Sequence, residues 1–253
     1  MFKIFKKKKT AVHADKIPTH IAFICDGNRR WAEERGLAPM MGHRAGAGED
    51  FFENMANWYF ARGVTTLTFY VFSTENWKRS KDEVSGLMNL FCEICDKHYK
   101  EAGQKNIRFK HVGRTDRISK KLMSKILKLE KATADKTGGT IVLALDHGGE
   151  DEIIRAAQDA IRSGIPADEL DSEMFETFMD TGELLPVDMV VRTSNENRTS
   201  GYLLWKAAYA ELFFINEHWP TFISSEKLWQ SVMDEYARRN RRFGGGIKKN
   251  YSG

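Results

Sequence analysis

What most constrains this chain is an alternation of two patterns, short apolar β-branched runs and longer polar segments with helical spacing. The apolar runs fall at 20–25, 65–72, 107–112, 140–145, 189–191 and 212–215. The helical spacings fall at 45–62, 82–102, 119–135, 150–163, 172–181 and 224–239. A strand covered on both faces reads as a continuous apolar run, and a helix between two such strands makes a right-handed crossover. The expected fold is α/β: a single domain with a mostly parallel sheet of about six strands covered by helices. No internal repeat, low-complexity stretch or Pro/Gly-rich linker interrupts the interior. We therefore place one domain at 17–245, between a basic tail at 1–16 and a short tail at 246–253.

Charge bears on partners. The net charge is +4, yet Lys3, Lys6, Lys7, Lys8 and Lys9 alone account for five positive charges, and without them the balance is −1. Arg238, Arg239, Arg241, Arg242, Lys248 and Lys249 form a second cluster near the end. A body that is not basic argues against nucleic acid as a partner. The lysine tail is open between a solvated, mobile segment and one drawn to anionic lipid at ~1 kcal/mol per basic residue. Phe2, Ile4 and Phe5 among the lysines suit the second reading.

No apolar run approaches the ~20 residues needed to cross a bilayer, and the first ten residues lack the apolar core of an export signal. The expected location is the cytoplasm, with the inner membrane face as the surface the tail would touch. Cys25, Cys92 and Cys95 are an odd set, expected to be reduced. Cys92 and Cys95 share a helical face with Leu87, Leu90, Phe91 and Ile94, which favours core packing over zinc.

In parallel sheets ligands bind beyond the carboxyl ends of the strands. After the first run stand Asp26, Gly27, Asn28, Arg29, Arg30 and Trp31; after the second, Ser73, Thr74, Glu75, Asn76, Trp77, Lys78 and Arg79. The fourth run leads to Asp146, His147, Gly148 and Gly149, and the fifth to Arg192, Thr193, Ser194 and on to Arg198, Thr199 and Ser200. Arginine makes bidentate, charge-assisted bonds to phosphate, and glycine lets backbone approach it closely. Asp26 would repel a diphosphate unless a hard cation such as Mg²⁺ lay between them. Taken alone, the Asp26 segment is open between a phosphate site and an Asp N-cap with solvent-facing arginines. Glu211 is open between a strand cap and a second metal ligand.

Six separated stretches together resemble the cis-prenyltransferase family, whose bacterial members include undecaprenyl diphosphate synthase. They are HIAFICDGNRRWA at 20–32, GHRAG at 42–46, FSTENW at 72–77, VRTS at 191–194, LLW at 203–205 with AYAEL at 208–212, and RNRRFGG at 239–245. The resemblance runs from about residue 18 to 245. It implies condensation of isopentenyl diphosphate with an allylic diphosphate of farnesyl or geranyl type, with Mg²⁺ as cofactor, in a homodimer. It implies that Asp26 holds Mg²⁺ and that Gly27, Asn28, Arg29 and Arg30 line the allylic diphosphate site beside Trp31 and His43. Asn76 would assist proton loss, with Ser73, Thr74, Glu75, Trp77 and Arg79 around the reacting groups. Arg192, Arg198, Thr199 and Ser200 would bind isopentenyl diphosphate, and Glu211 would complete the metal site, across a dimer interface. The growing chain would fill an apolar tunnel for which Phe51, Phe52, Met55, Met88, Leu90 and Phe91 are candidates, although ordinary core packing is the favoured reading of any one of them.

The chain departs from the family's pattern in places. Asp146-His147-Gly148-Gly149-Glu150 stands where the family shows Asn-Tyr-Gly-x-Arg. Pro39 and Met40 replace an arginine; Asn195 and Asn197 replace Gly and His; Gly201 replaces Asn, and Ser80 replaces Pro. These are expected to bear on starter, product length or rate. A non-catalytic subunit of this fold should have lost Asp26 or the Asn76 segment, and both are present.

Overall fold

The six apolar runs form six strands: β1 (His20–Ile24), β2 (Thr66–Ser73), β3 (Arg108–Val112), β4 (Thr140–His147), β5 (Met189–Arg192) and β6 (Glu211–Phe214). The computed structural model describes residues 17–239, with the side chains of residues 49–52 outside that description. The tails at 1–16 and 246–253, and Phe51 and Phe52 as tunnel candidates, therefore lie outside the described residues. The strands make one sheet in the order β3-β4-β2-β1-β5-β6, with every pairing parallel. All five residues of β1 are buried, as a central strand covered on both faces requires.

Nine α-helices connect the strands among the described residues: α1 (Asn28–Glu33), α2 (Pro39–Gly46), α3 (Glu49–Phe60), α4 (Lys81–Glu101), α5 (Lys120–Thr133), α6 (Gly149–Ser163), α7 (Ser172–Glu176), α8 (Trp219–Ile223) and α9 (Glu226–Arg238). The longest, α4, starts at Ser80, whose hydroxyl accepts the Glu83 N–H, and carries Asp82 and Glu83 in its first turn against the positive end of the helix dipole. One face of the sheet packs Phe23, Phe69, Tyr59, Trp219 and Phe222 into the main core with side chains of α4, α5 and α9. The opposite face holds a smaller cluster with Tyr70, Val142, Val190, Tyr202 and Leu203.

Three expected helices change shape. The segment 45–62 is two helices, because the chain turns at Ala47 and Gly48 after α2, which itself begins earlier, at Pro39. Proline at that first position loses no helical hydrogen bond. Gly46 lets α2 press on the centre of the molecule: a Cβ there would fall 2.2 Å from Asn28 Oδ1 and 2.7 Å from Trp219 Cδ1. The segment 172–181 is helical only to Glu176. The segment 224–239 begins its helix at Glu226, preceded by the separate helix α8.

Candidate active site

The carboxyl ends of β1, β2, β4 and β5 open on one cavity of about 1190 Å³. Ile24 and Arg192 are level in the sheet, so the residues following β1 and those ending β5 meet there. Asp26 lies two residues beyond β1. Its Oδ2 accepts the Arg192 Nη2–H at 2.8 Å, and its Oδ1 accepts the Gly27 N–H at 2.7 Å and the Arg30 Nη2–H at 3.3 Å. Burial alone would raise the carboxyl pKa, but the Arg192 bond and charge, the Gly27 N–H and Arg30 outweigh it and hold it below the ordinary value. Asp26 is thus ionised at neutral pH.

Arg192 is 5% exposed, and its Nη1 also donates to Ser200 Oγ at 2.7 Å and to the Arg198 carbonyl at 2.6 Å. Gly27 has φ +93°, and a Cβ there would fall 1.7 Å from Ser194 Oγ, so the turn admits only glycine without rearrangement. Ser194, Asn195 and Ser200 also have positive φ. Left-handed backbone at non-glycine residues clusters where surroundings over-determine it, often at functional sites.

β2 carries a register shift between Tyr70 and Phe72 just before Ser73, the kind of irregularity that re-aims the end of a strand. There the chain enters a 3₁₀ turn, Thr74–Lys78, capped reciprocally by Ser73 and Asn76; Asn76 Oδ1 accepts the Ser73 N–H at 3.1 Å. Ser73, Thr74, Glu75, Asn76 and Arg79 all line the cavity, as do Gly27, Asn28, Arg29, Arg30 and His43. The His43 side chain is only 11% exposed; burial first, then the Arg79 charge, lower its pKa to about 4, so its imidazole is neutral. The cavity continues into an apolar groove along one face of α4, formed by Leu87, Leu90, Phe91 and Ile94 with Leu143 of β4. Leu90 and Phe91 are the tunnel candidates that line it; Met55 is wholly buried in the core.

Five expected site residues are not among those lining the cavity. The Trp77 indole donates to Asp146 Oδ1 at 2.8 Å and packs edge-on against Phe72, a structural use. Trp31 lies under the Arg35 guanidinium, 4.3 Å from its centre. Arg198 is 61% exposed and paired with Glu196, while Thr199 offers its carbonyl to the Tyr202 N–H. Glu211 opens β6 level with Met189, about 10 Å up-strand of the level of Arg192 (three residues at ~3.3 Å). It accepts a bond from Arg239 Nη1 at 2.8 Å. One chain therefore does not bring Glu211 to Asp26, and among the described residues no cluster of three or more His, Cys, Asp or Glu could hold a metal ion.

Sequence reasoning missed Glu83, which bonds Arg79 Nη1 at 3.0 Å, receives Arg29 Nη1 at 3.4 Å and lies 3.6 Å from His43. The signal was the Ser80-x-x-Glu83 spacing of a helix start. Glu196, 3.1 Å from Arg30 Nη1, was missed too. Cys25 lines the cavity, but burial pushes its thiol pKa up, as it does to about 12 for Cys95. Those two thiols are not reactive thiolates.

A parallel α/β sheet whose strand ends hold an ionised carboxylate among arginines, with an apolar groove leading away, defines a site for an anionic head on a hydrocarbon tail. Residues 24–244 match the family model Prenyltransf, undecaprenyl diphosphate synthase. An isoprenyl transferase of Wolinella succinogenes is 43% identical over 226 residues, 89% of this chain and 96% of that one. A ditrans,polycis-undecaprenyl-diphosphate synthase ((2E,6E)-farnesyl-diphosphate specific) of Escherichia coli K12 is 38% identical over 240 residues, 92% of this chain and 93% of that one. Among solved structures, lavandulyl diphosphate synthase from Lavandula x intermedia, in complex with dimethylallyl diphosphate, has a TM-score of 0.85 at 28% identity, covering 91% of this chain and 99% of that one. A probable undecaprenyl diphosphate synthase from Campylobacter jejuni has a TM-score of 0.73 at 29% identity, covering 90% and 98%. The chain belongs to this undecaprenyl diphosphate synthase family of prenyltransferases, the family its motifs resemble.

Proposed function

We propose that the chain condenses isopentenyl diphosphate with an allylic diphosphate of farnesyl or geranyl type. The product is a longer cis-polyprenyl diphosphate, the precursor of a lipid carrier for cell-wall glycan. The observation that carries this reading is one cavity in which the Asp26 carboxylate and arginines from separate loops open into the groove of Leu87, Leu90, Phe91 and Ile94. A diphosphate head and an isoprenoid tail require those two halves side by side.

The donor chemistry fits Mg²⁺ through a single protein carboxylate. Asp26 is ionised and offers hard oxygen, and Mg²⁺ is held by one or two carboxylates plus substrate phosphate. When bound, the ion would neutralise the charge that develops on the departing diphosphate. Arg29, Arg30 and Arg79 would grip the allylic diphosphate, and Arg192 with Ser200 that of isopentenyl diphosphate. Arg198, Thr199, Trp31 and Trp77 would join the substrates only if their loops moved. Asn76, fixed by its cap, is the candidate that assists proton loss. The apolar groove excludes water from the allylic carbon and receives the growing chain.

Glu211 would reach a metal only across a subunit boundary. Tyr209, Leu212 and Phe214 around it are exposed apolar side chains on the sheet's edge, which supports a homodimer there. No helix among the described residues is long and apolar enough to cross a membrane; contact with a membrane would be peripheral, through the basic tail. Incubating the purified chain with labelled isopentenyl diphosphate, geranyl or farnesyl diphosphate and Mg²⁺, then sizing the products, tests this. Extended products that vanish with a chelator are expected. No extension from any allylic starter would contradict the reading.

A further inference from the structure

Behind the turn at Asp26 and Gly27 lies a row of three polar side chains that the proposed chemistry leaves unused. Glu34 Oε1 is 2.8 Å from His218 Nε2, and His218 Nδ1 is 2.6 Å from Ser194 Oγ. Ser194 Oγ lies in turn 3.0 Å from the carbonyl oxygen of Asp26. The order serine, histidine, carboxylate is that of a hydrolase triad. Ser194 is only 3% exposed, however, and neither Ser194 nor His218 lines the cavity, so no substrate carbonyl reaches the hydroxyl.

What this row touches is the backbone of the site. The hypothetical Cβ on Gly27 that meets Ser194 Oγ would also fall 2.5 Å from His218 Nδ1, so the pair is packed directly onto the turn. The flanking residues hold the same turn. Thr193 Oγ1 donates to the Asp26 carbonyl at 2.7 Å and accepts the Asp26 N–H at 3.0 Å, and the Trp219 N–H reaches that carbonyl at 2.9 Å. Both nitrogens of His218 are engaged, which fixes the ring, and Ser194 is held at φ +72°.

We propose that His218, oriented by Glu34 and acting through Ser194, is a positioning residue for Asp26: it locks the turn that aims the carboxylate into the cavity. Losing a buttress of this kind lets the carboxylate drift, and a misplacement of about 1 Å can cost up to ~10²-fold in rate. The proposal rests on the reading of Asp26 as the group that meets Mg²⁺ and diphosphate.

The test uses the full chain and three variants, His218→Ala, His218→Asn and Glu34→Ala. Three quantities are read: turnover, the Mg²⁺ concentration for half-maximal rate, and calorimetric binding of inorganic pyrophosphate in Mg²⁺. His218→Ala should lower kcat and weaken pyrophosphate binding by about tenfold each, with a parallel rise in half-saturating Mg²⁺. The KM for isopentenyl diphosphate, governed by Arg192 and Ser200, should change by less than about threefold. His218→Asn places a polar group near the Nδ1 position and should recover most of the loss, which a mere packing role would not predict. Folded His218→Ala with unchanged kcat, Mg²⁺ dependence and pyrophosphate binding overturns the proposal, as does His218→Asn no better than His218→Ala. If His218→Ala does not fold, surface Glu34→Ala decides: a rise of about threefold in half-saturating Mg²⁺ supports the relay, and no rise overturns it. A wild-type chain that binds pyrophosphate but extends no starter would sink the proposed function instead, and so be told apart.

Discussion

Replacing Arg192 by methionine keeps the volume of a long side chain and removes the guanidinium that ties the end of β5 to the Asp26 carboxylate. The guanidinium gives three hydrogen bonds, to Asp26 Oδ2, Ser200 Oγ and the Arg198 carbonyl, from a side chain 5% exposed. Removing one partner of a buried ion pair costs ~3–5 kcal/mol. The Asp26 side chain is 29% exposed, so water takes up part of the loss and about 2–3 kcal/mol is expected. A cycle with Asp26→Asn isolates the pair, with a coupling of about 1–2 kcal/mol at pH 7, read from urea unfolding followed by tryptophan fluorescence. The sign with pH follows from the depressed folded pKa of Asp26. The pair's contribution is complete above the unfolded value of ~3.9 and is lost as pH falls through the folded value. Coupling that shrinks on acidification is therefore expected. A coupling below about 0.5 kcal/mol at pH 7 would refute the view that this pair organises the site.

Gly27→Ala should cost about 2–3 kcal/mol of stability, because a left-handed residue gains a Cβ that must displace Ser194 Oγ from 1.7 Å; unchanged urea midpoints would contradict the turn geometry. His20, His43, His98 and His147 all have pKa values lowered to about 4, chiefly by burial. Each binds a proton on unfolding between pH ~6.5 and about 4, so stability should fall as pH drops through that window. Urea midpoints measured across it check this, and a flat profile would contradict it. Leu90→Trp narrows the groove and should shorten the products without lowering the rate of the first condensation more than about threefold, as product sizing would reveal; an unchanged length distribution would count against the groove as the chain's path.

The central strands were legible because a doubly covered parallel strand must be apolar along its length, as β1 and β5 are. The edge strand β6 was legible from its apolar run, although Leu212 and Phe214 in it are exposed. The break between α2 and α3 was not, since the spacing of apolar residues carries through Ala47 and Gly48 while the backbone turns there to seat Gly46 on Trp219. At the site, Asp26, Asn76 and Arg192 stood at strand ends where topology alone predicts ligands. Side-chain direction was harder to read. Trp77 follows Asn76 directly, but the 3₁₀ turn sends its indole to Asp146 rather than into the cavity. Arg198 and Arg192 look equivalent in the sequence, yet strand register buries one while the loop leaves the other beside Glu196. Glu211 shares a motif with the site but stands just before the run 212–215, at the end of its strand away from the site, and the pairing register sets it level with Met189. His218 and Glu34 carried no signal, because their partners are contributed by segments more than twenty residues away.

The initial rate of Asp26→Ala with labelled isopentenyl diphosphate, an allylic starter and saturating Mg²⁺ probes the site at its centre. The variant should be folded and turn over ~10³-fold more slowly or worse, about 4 kcal/mol of barrier. A folded variant with near wild-type turnover would mean that the carboxylate held by Arg192 and Arg30 is not where the diphosphates meet their cation.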